Sequence, residues 1–344
     1  MQLIAERIAV HTRHPFVIAR GGTSEFHVVW VRVRDARSAE DGIEGWGEAA
    51  PSRFYGETAD TVMAALSRFA PVLEMADGWS IDAIERELEK TLRWNAAARC
   101  AISAALHDLA AKRLGVPLYA LWGLDAKGAA RSSFTIGIAP DDATLRARVR
   151  EAASYPILKV KLGTLRDADV VRIVREEAPQ SILRVDANAA WTPKRALAML
   201  DVLAKYGVDM LEQPVAAHDV EGMRFVRDRA PMDVVADESC IVATDIPKLH
   251  GAVDGVNIKL AKCGSLREAL RMIAVARAHG MRVMCGCMIE TTLGIAAAAH
   301  LSPLLDDADL DGAALLADDP FVGPTIPAGN IVLDNTPGLG VRRR

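Results

Sequence analysis

No stretch of this chain approaches the roughly 18 consecutive apolar residues that a membrane-spanning helix needs. The start, MQLIAERIAVHTRHPF, lacks the basic stretch, long apolar run and small-residue cleavage site of a secretory signal, so a cytoplasmic protein with no membrane partner is expected. Cysteine is scarce and unpaired. Cys100, Cys240, Cys263, Cys285 and Cys287 form an odd set without CxxC spacing, which disfavours both a disulfide framework and a zinc site. They read as reduced core thiols, with Cys285 and Cys287 an inward-packed pair on one strand face. Nor does charge of one sign dominate: the formal net charge is −4, and the tail Arg342 to Arg344 is too short for a phosphate-binding surface. Nucleic acid is therefore not an expected partner. Low-complexity segments are missing as well.

What is present is globular composition, 51% hydrophobic and 25% charged, in 344 residues, a length that suggests two domains. Residues 2–10 and 26–34 read as strands, the second as FHVVWVRVR, and GIEGWGEA follows at 42–49 after a polar turn. Helical stretches near 59–74, 80–93 and 96–114 come next, the last ending before Gly115 and Pro117. Sheet followed by helices predicts an α+β domain over 1–118. Beyond it, short apolar strands alternate with helical segments, and Lys161, Asp186, Glu212, Asp237 and Lys259 each end such a strand, 25, 26, 25 and 22 positions apart. That repeat, with no Gly-rich phosphate turn after its first strand, fits a (β/α) barrel over 119–325 better than a doubly wound sheet. Asp309 to Asp311 would supply the eighth stave, and 326–344 is read as a segment returning to the first domain.

Barrel chemistry sits at the C-terminal strand ends. In ILKVK, Lys159 and Lys161 are two apart and project to one side. Taken alone, two such lysines more often end a strand in solvent or pair with nearby acids. Asp186, Glu212 and Asp237 end the next three strands, and three acids converging in one cavity repel unless a cation lies among them. Each singly could cap the following helix. Together they read as an all-oxygen site for magnesium, with manganese the alternative, rather than zinc. Glu238 should point the other way on an extended strand and support the ligands. Lys259 falls across the barrel from Lys161, so the metal lies between two bases. This suits removal of a proton α to a carboxylate and its return to the opposite face, with Lys159 touching the carboxylate and lowering its neighbour's pKa.

The motifs LKVKL, RVDANAAW, LEQP, ADES and NIKLAKCG, in this order and spacing, resemble the muconate-lactonising subgroup of the enolase superfamily over essentially the whole chain. The resemblance implies a modified (β/α)7β TIM-type barrel with an N-terminal α+β capping domain. By position it implies Lys161 and Lys259 as the acid/base pair and Asp186, Glu212 and Asp237 as magnesium ligands. ADLDGA, with Asp309 and Asp311, resembles the Asp-x-Asp motif by which dipeptide epimerases hold the substrate's ammonium group, though an acidic solvated loop reads the same way. PFVIARGGTSE and APSRFYGE resemble the two capping loops that choose the distal side chain. Arg20 is the expected partner of a side-chain carboxylate, which suggests L-Ala-D/L-Glu as substrate. Thr135, Met288 and Glu290 complete the expected pocket, with Glu290 equally suited to the start of the following helix. Other activities of the subgroup, N-acylamino-acid racemase, o-succinylbenzoate synthase and cycloisomerase, share this core, and a non-catalytic binding barrel is the alternative of another class. A homo-oligomer stays open.

Overall fold

The computed structural model describes residues 1–35 and 42–344, and the polar turn expected before residue 42 lies outside them. The chain begins with a long hairpin, β1 (Gln2–Ile18) and β2 (Gly21–Arg34), and β3 (Gly45–Ala49) adds antiparallel to β2. Both hairpin strands run further than the alternating pattern predicts. The register shifts between His11 and Phe16, and pairing then resumes to Ile18↔Gly21, so the hairpin tip reaches past the sheet and carries Arg20 at its turn.

Three helices cover one face of this sheet: α1 (Ala59–Glu74), α2 (Ile81–Thr91) and α3 (Ala96–Leu114). Val29, Val31 and Val33 from β2 pack with Phe69, Leu73 and Leu88 from the helices in a separate capping core. The Ala-rich α3 approaches β3 so closely that a methyl group on Gly47 would lie 2.1 Å from the Ala101 carbonyl oxygen. Gly47→Ala is accordingly expected to destabilise by about 1–3 kcal/mol, the usual cost of overpacking, read as a drop in the midpoint of thermal unfolding.

The rest is a barrel of eight parallel strands: β4 (Phe134–Ile136), β5 (Ile157–Lys161), β6 (Ile182–Asp186), β7 (Val208–Glu212), β8 (Asp233–Ala236), β9 (Gly255–Ile258), β10 (Arg282–Gly286) and β11 (Asp307–Asp309). Strands neighbour one another in chain order, with helices between consecutive strands, which is the (β/α)7β arrangement expected. The ring closes through the parallel bridge Ser132↔Ala308, with the Ser133 amide donating to the Ala308 carbonyl at 2.9 Å. Side chains alternate between the helix-facing core and the interior. Met210, Val235 and Met284 form a small apolar layer inside, while Arg184 pairs with Asp307 in the barrel interior. Near the end of the chain, Phe321 packs edge-on against Trp30, the Leu339 amide donates to Asp108 of α3, and β12 (Phe321–Val322) pairs with β13 (Arg342–Arg343). Among the described residues no helix is long and apolar enough to cross a membrane.

Candidate active site

A cavity of about 700 Å³ opens at the C-terminal end of the barrel, roofed by the hairpin tip and by the loop around Ser52 to Tyr55. In an eight-stranded ring β5 and β9 stand opposite one another, so Lys161 at the end of β5 and Lys259 one residue past β9 face each other across this cavity. Between them lie Asp186, Glu212 and Asp237, all buried, each offering an oxygen within 4.8 Å of the others. This donor set, three carboxylates and no nitrogen or sulfur, fits a hard divalent cation.

The carboxylates are held by two lysine amines and an asparagine amide. Lys161 Nζ lies 2.6 Å from Asp186, Lys259 Nζ 2.8 Å from Asp237, and Asn257 donates to Glu212 at 2.9 Å. Burial by itself raises Asp186, but Lys161 and Lys159 outweigh it and bring its pKa down to about 2. Burial also raises Glu212, here joined by Asp186, and its pKa is pushed up to about 7. Asp237 is lowered, because Lys259 and Lys262 outweigh its burial. Burial would lower the Lys259 pKa, but Asp237 and Glu212 hold it well above the ordinary value.

Lys159 lies lower than expected. It is fully buried with its Nζ 2.7 Å from both Glu212 and Asp309 and 3.4 Å from Asp186, and it does not line the cavity. It therefore ties Asp186 and Glu212 to Asp309 on the eighth strand. Its pKa is raised: burial works the other way, and Asp309, Glu212 and Asp186 prevail. At Lys259 the positive Lys159 does act to lower the pKa, as expected of a neighbouring charge, but the surrounding carboxylates outweigh it.

Asp309 and Asp311 both line the cavity and are buried, so the solvated-loop reading fails. Asp309 accepts from Ser133 at 2.6 Å, and Asp311 accepts from the Thr135 amide at 2.5 Å. Burial and the nearby Asp309 push the Asp311 pKa up to about 7. Thr135 and Met288 line the same cavity. Arg20 reaches into it from the hairpin tip, 2.9 Å from Glu238, 2.6 Å from the Asn188 carbonyl and stacked over Phe54 at 4.2 Å.

Three expectations need correction. Glu238 does not point away: β8 ends at Ala236, strand alternation lapses there, and Glu238 faces the cavity beside Asp237. Glu290 does not line the cavity. It turns back to accept from the Met288 amide at 2.9 Å and is buried behind the pocket wall. Cys287 lies one residue past β10 and is only partly buried: it packs against the same core as Cys285 but also lines the cavity.

Three further contributors lie inside the quoted motifs without standing out there. Lys262, one turn beyond Lys259, donates to Asp237 Oδ1 at 2.6 Å, and its i+3 spacing from Lys259 is the only hint in the sequence. Asn188 has φ of +46° and its amide donates to Asp186 at 2.7 Å, an uncommon backbone for a residue other than glycine. Tyr55, brought by the second capping loop, lines the cavity with its hydroxyl pKa raised, chiefly by burial and by Asp237.

Residues 142–344 match the family described as enolase C-terminal domain-like, and residues 3–123 match the mandelate racemase / muconate lactonizing enzyme N-terminal domain. The chain is 38% identical to an L-Ala-D/L-Glu epimerase of Bacteroides thetaiotaomicron, over 96% of this chain and 85% of that protein. It is similar in structure to a dipeptide epimerase of Enterococcus faecalis complexed with Mg and L-Leu-L-Tyr (TM-score 0.92, 33% identity, 99% and 98% of the two chains). It is also similar to a dipeptide epimerase of Methylococcus capsulatus complexed with Mg and L-Arg-D-Lys (TM-score 0.90, 33% identity, 99% and 98% covered).

Proposed function

Since the chain belongs to the mandelate racemase / muconate lactonizing enzyme family of the enolase superfamily, we propose that it is a magnesium-dependent dipeptide epimerase inverting the α-carbon of the C-terminal residue. The observation that carries this reading is the opposition of Lys161 and Lys259 across three buried carboxylates, with Asp309 and Asp311 closing one side of the same cavity.

Asp186, Glu212 and Asp237 would hold the cation, which supplies Lewis acidity toward the substrate carboxylate and offsets the negative charge around the lysines. The neutral amine of one lysine takes the α-proton, and the ammonium of the opposite lysine returns a proton to the other face. Asp309 and Asp311 receive the free ammonium group of the N-terminal residue, which fixes the α-carbon between the two bases. The barrel and cap shield that carbon from bulk water. We assign the protein to the cytoplasm.

Arg20 is the residue we assign to the side chain of the C-terminal residue, with L-Ala-D/L-Glu as the preferred substrate. It approaches the cavity with one face on Phe54, and a substrate carboxylate would have to compete with Glu238 for it. The test is a panel of dipeptides in D2O, followed by NMR at the α-carbon. L-Ala-L-Glu should exchange and invert, while its N-acetyl derivative should lose about 10²-fold or more in kcat/KM, as Asp309 and Asp311 then receive no substrate ammonium group. Arg20→Met should cost about 10- to 100-fold in kcat/KM on L-Ala-L-Glu and under about threefold on L-Ala-L-Leu. Equal losses on both would remove Arg20 from the specificity assignment, and preferred turnover of N-acylamino acids would overturn the dipeptide reading.

A further inference from the structure

A second, much smaller cavity, about 10 Å³ and so roughly the size of one water molecule, lies behind the pocket wall on the seam between cap and barrel. Glu48 and Ala50 come to it from β3 and its continuation, Cys100 and Ala104 from α3, Leu260 and Ala261 from the turn that follows Lys259, and Glu290, Gly294 and Ala297 from the segment that follows Met288. Two buried carboxyl groups, one from each side of the seam, thus meet in a space too small for bulk solvent.

The geometry is specific. Glu48 accepts from the Thr291 amide at 2.9 Å and from the Thr291 hydroxyl, so β3 grips the barrel segment directly. Glu290 accepts from the Met288 amide and so fixes the peptide next to a pocket-lining residue. The free space between them is kept by Gly294: a methyl group there would lie 2.6 Å from Glu290 Oε2 and 2.8 Å from Glu48 Oε1. Two ionised carboxylates facing one another in such a site would be strongly disfavoured, and neither the reaction nor the metal site uses them.

We propose that the facing pair Glu48 and Glu290 together retains one proton at neutral pH, and that this neutralisation keeps the cap seated and holds the Lys259 and Met288 segments in position at the pocket. The two glutamates act here as positioning residues. Burial is the first cause in each: it raises Glu48 to about 8, with Glu290 and Asp319 adding and the Thr291 bonds opposing, and raises Glu290 to about 7 against the Met288 amide and Lys259. The other titratable groups facing the pair are Cys100, whose buried thiol stays neutral, Asp319 from the segment after the barrel, Lys259 from the end of β9, and Glu57 beyond Cys100. A carboxyl whose pKa is higher in the folded state binds its proton more tightly there. The stability it contributes is complete below the ordinary value of 4.5 and is lost as pH rises through about 7 to 8.

The experiment compares the wild-type protein with Glu48→Gln, whose amide is neutral at every pH, by thermal unfolding and by the pH profiles of kcat and KM from about pH 6 to about pH 9. The wild-type Tm should fall across this window, and Glu48→Gln should remove at least about half of the fall and move the alkaline limb of kcat/KM up by about one pH unit. As a check independent of substrate, the infrared difference between wild type and Glu48→Gln/Glu290→Gln at neutral pH should contain the carbonyl band of a protonated carboxyl group. Parallel Tm curves for wild type and Glu48→Gln overturn the proposal, as does a difference spectrum without that band. Neither readout depends on the dipeptide assignment, so its failure is separately visible.

Discussion

Replacing Lys161 or Lys259 by methionine should each reduce epimerisation by about 10³- to 10⁴-fold, at the upper end of what a positioned acid or base contributes, and the residual chemistry should differ between the two variants. With one base gone, the other can still remove the α-proton from its own side and return deuterium there. Each variant should therefore wash deuterium into only one of the two epimers, without inversion, and the two variants should choose opposite epimers. NMR of both epimers in D2O reads this directly. Washing into both epimers by a single variant would show that the two lysines do not serve opposite faces. Collapse of the site is a poor alternative explanation. After Lys259→Met, Asp237 keeps Lys262 at 2.6 Å, and after Lys161→Met, Asp186 keeps the Asn188 amide at 2.7 Å.

Exhaustive chelation should bring turnover to background, a loss of about 10³-fold or more, with recovery on adding magnesium. The fold should survive. Four lysines, at 159, 161, 259 and 262, are hydrogen-bonded or ion-paired to the metal-site acids, so the emptied cluster is not a set of bare negative charges. Cation at about 100 times its Kd adds about 2.7 kcal/mol of stability, a shift of several degrees in Tm and no more. Full activity after chelation would remove the cation from the reading. Unfolding on chelation would instead show that the lysine network cannot hold the acids alone.

Much of the barrel was legible because its chemistry is regularly spaced. Each of Lys161, Asp186, Glu212, Asp237 and Lys259 sits where a strand meets the mouth, so a repeat of 22 to 26 residues marks strand ends even before any strand is assigned. The readings that failed depended on where strands stop or on distant partners. Alternation puts Glu238 on the wrong side because it carries the strand two residues past its end at Ala236. Glu290 reads as a pocket residue because its destination, the barrel side of the seam opposite Glu48, involves a residue 242 positions earlier in the chain. Lys159 reads like Lys161 along the strand, yet one inward step deeper it meets Asp309 and Glu212, and only the closed ring reveals that burial. The hairpin tip escaped because its pairing breaks at His11 and resumes at Phe16, which interrupts the pattern of alternation.

The ring closes by joining residue 132 to residue 308. During synthesis from the N-terminus, the two lysines and three acids of the metal site are all made before the strand that supplies Asp309. Until then Lys159 lacks one of its three carboxylate partners and the barrel has two open edges. Such edges invite pairing with other chains. A nascent chain stalled just short of residue 307 thus still carries both open edges, and the last stave, three residues long, removes them as it brings Asp309 to Lys159.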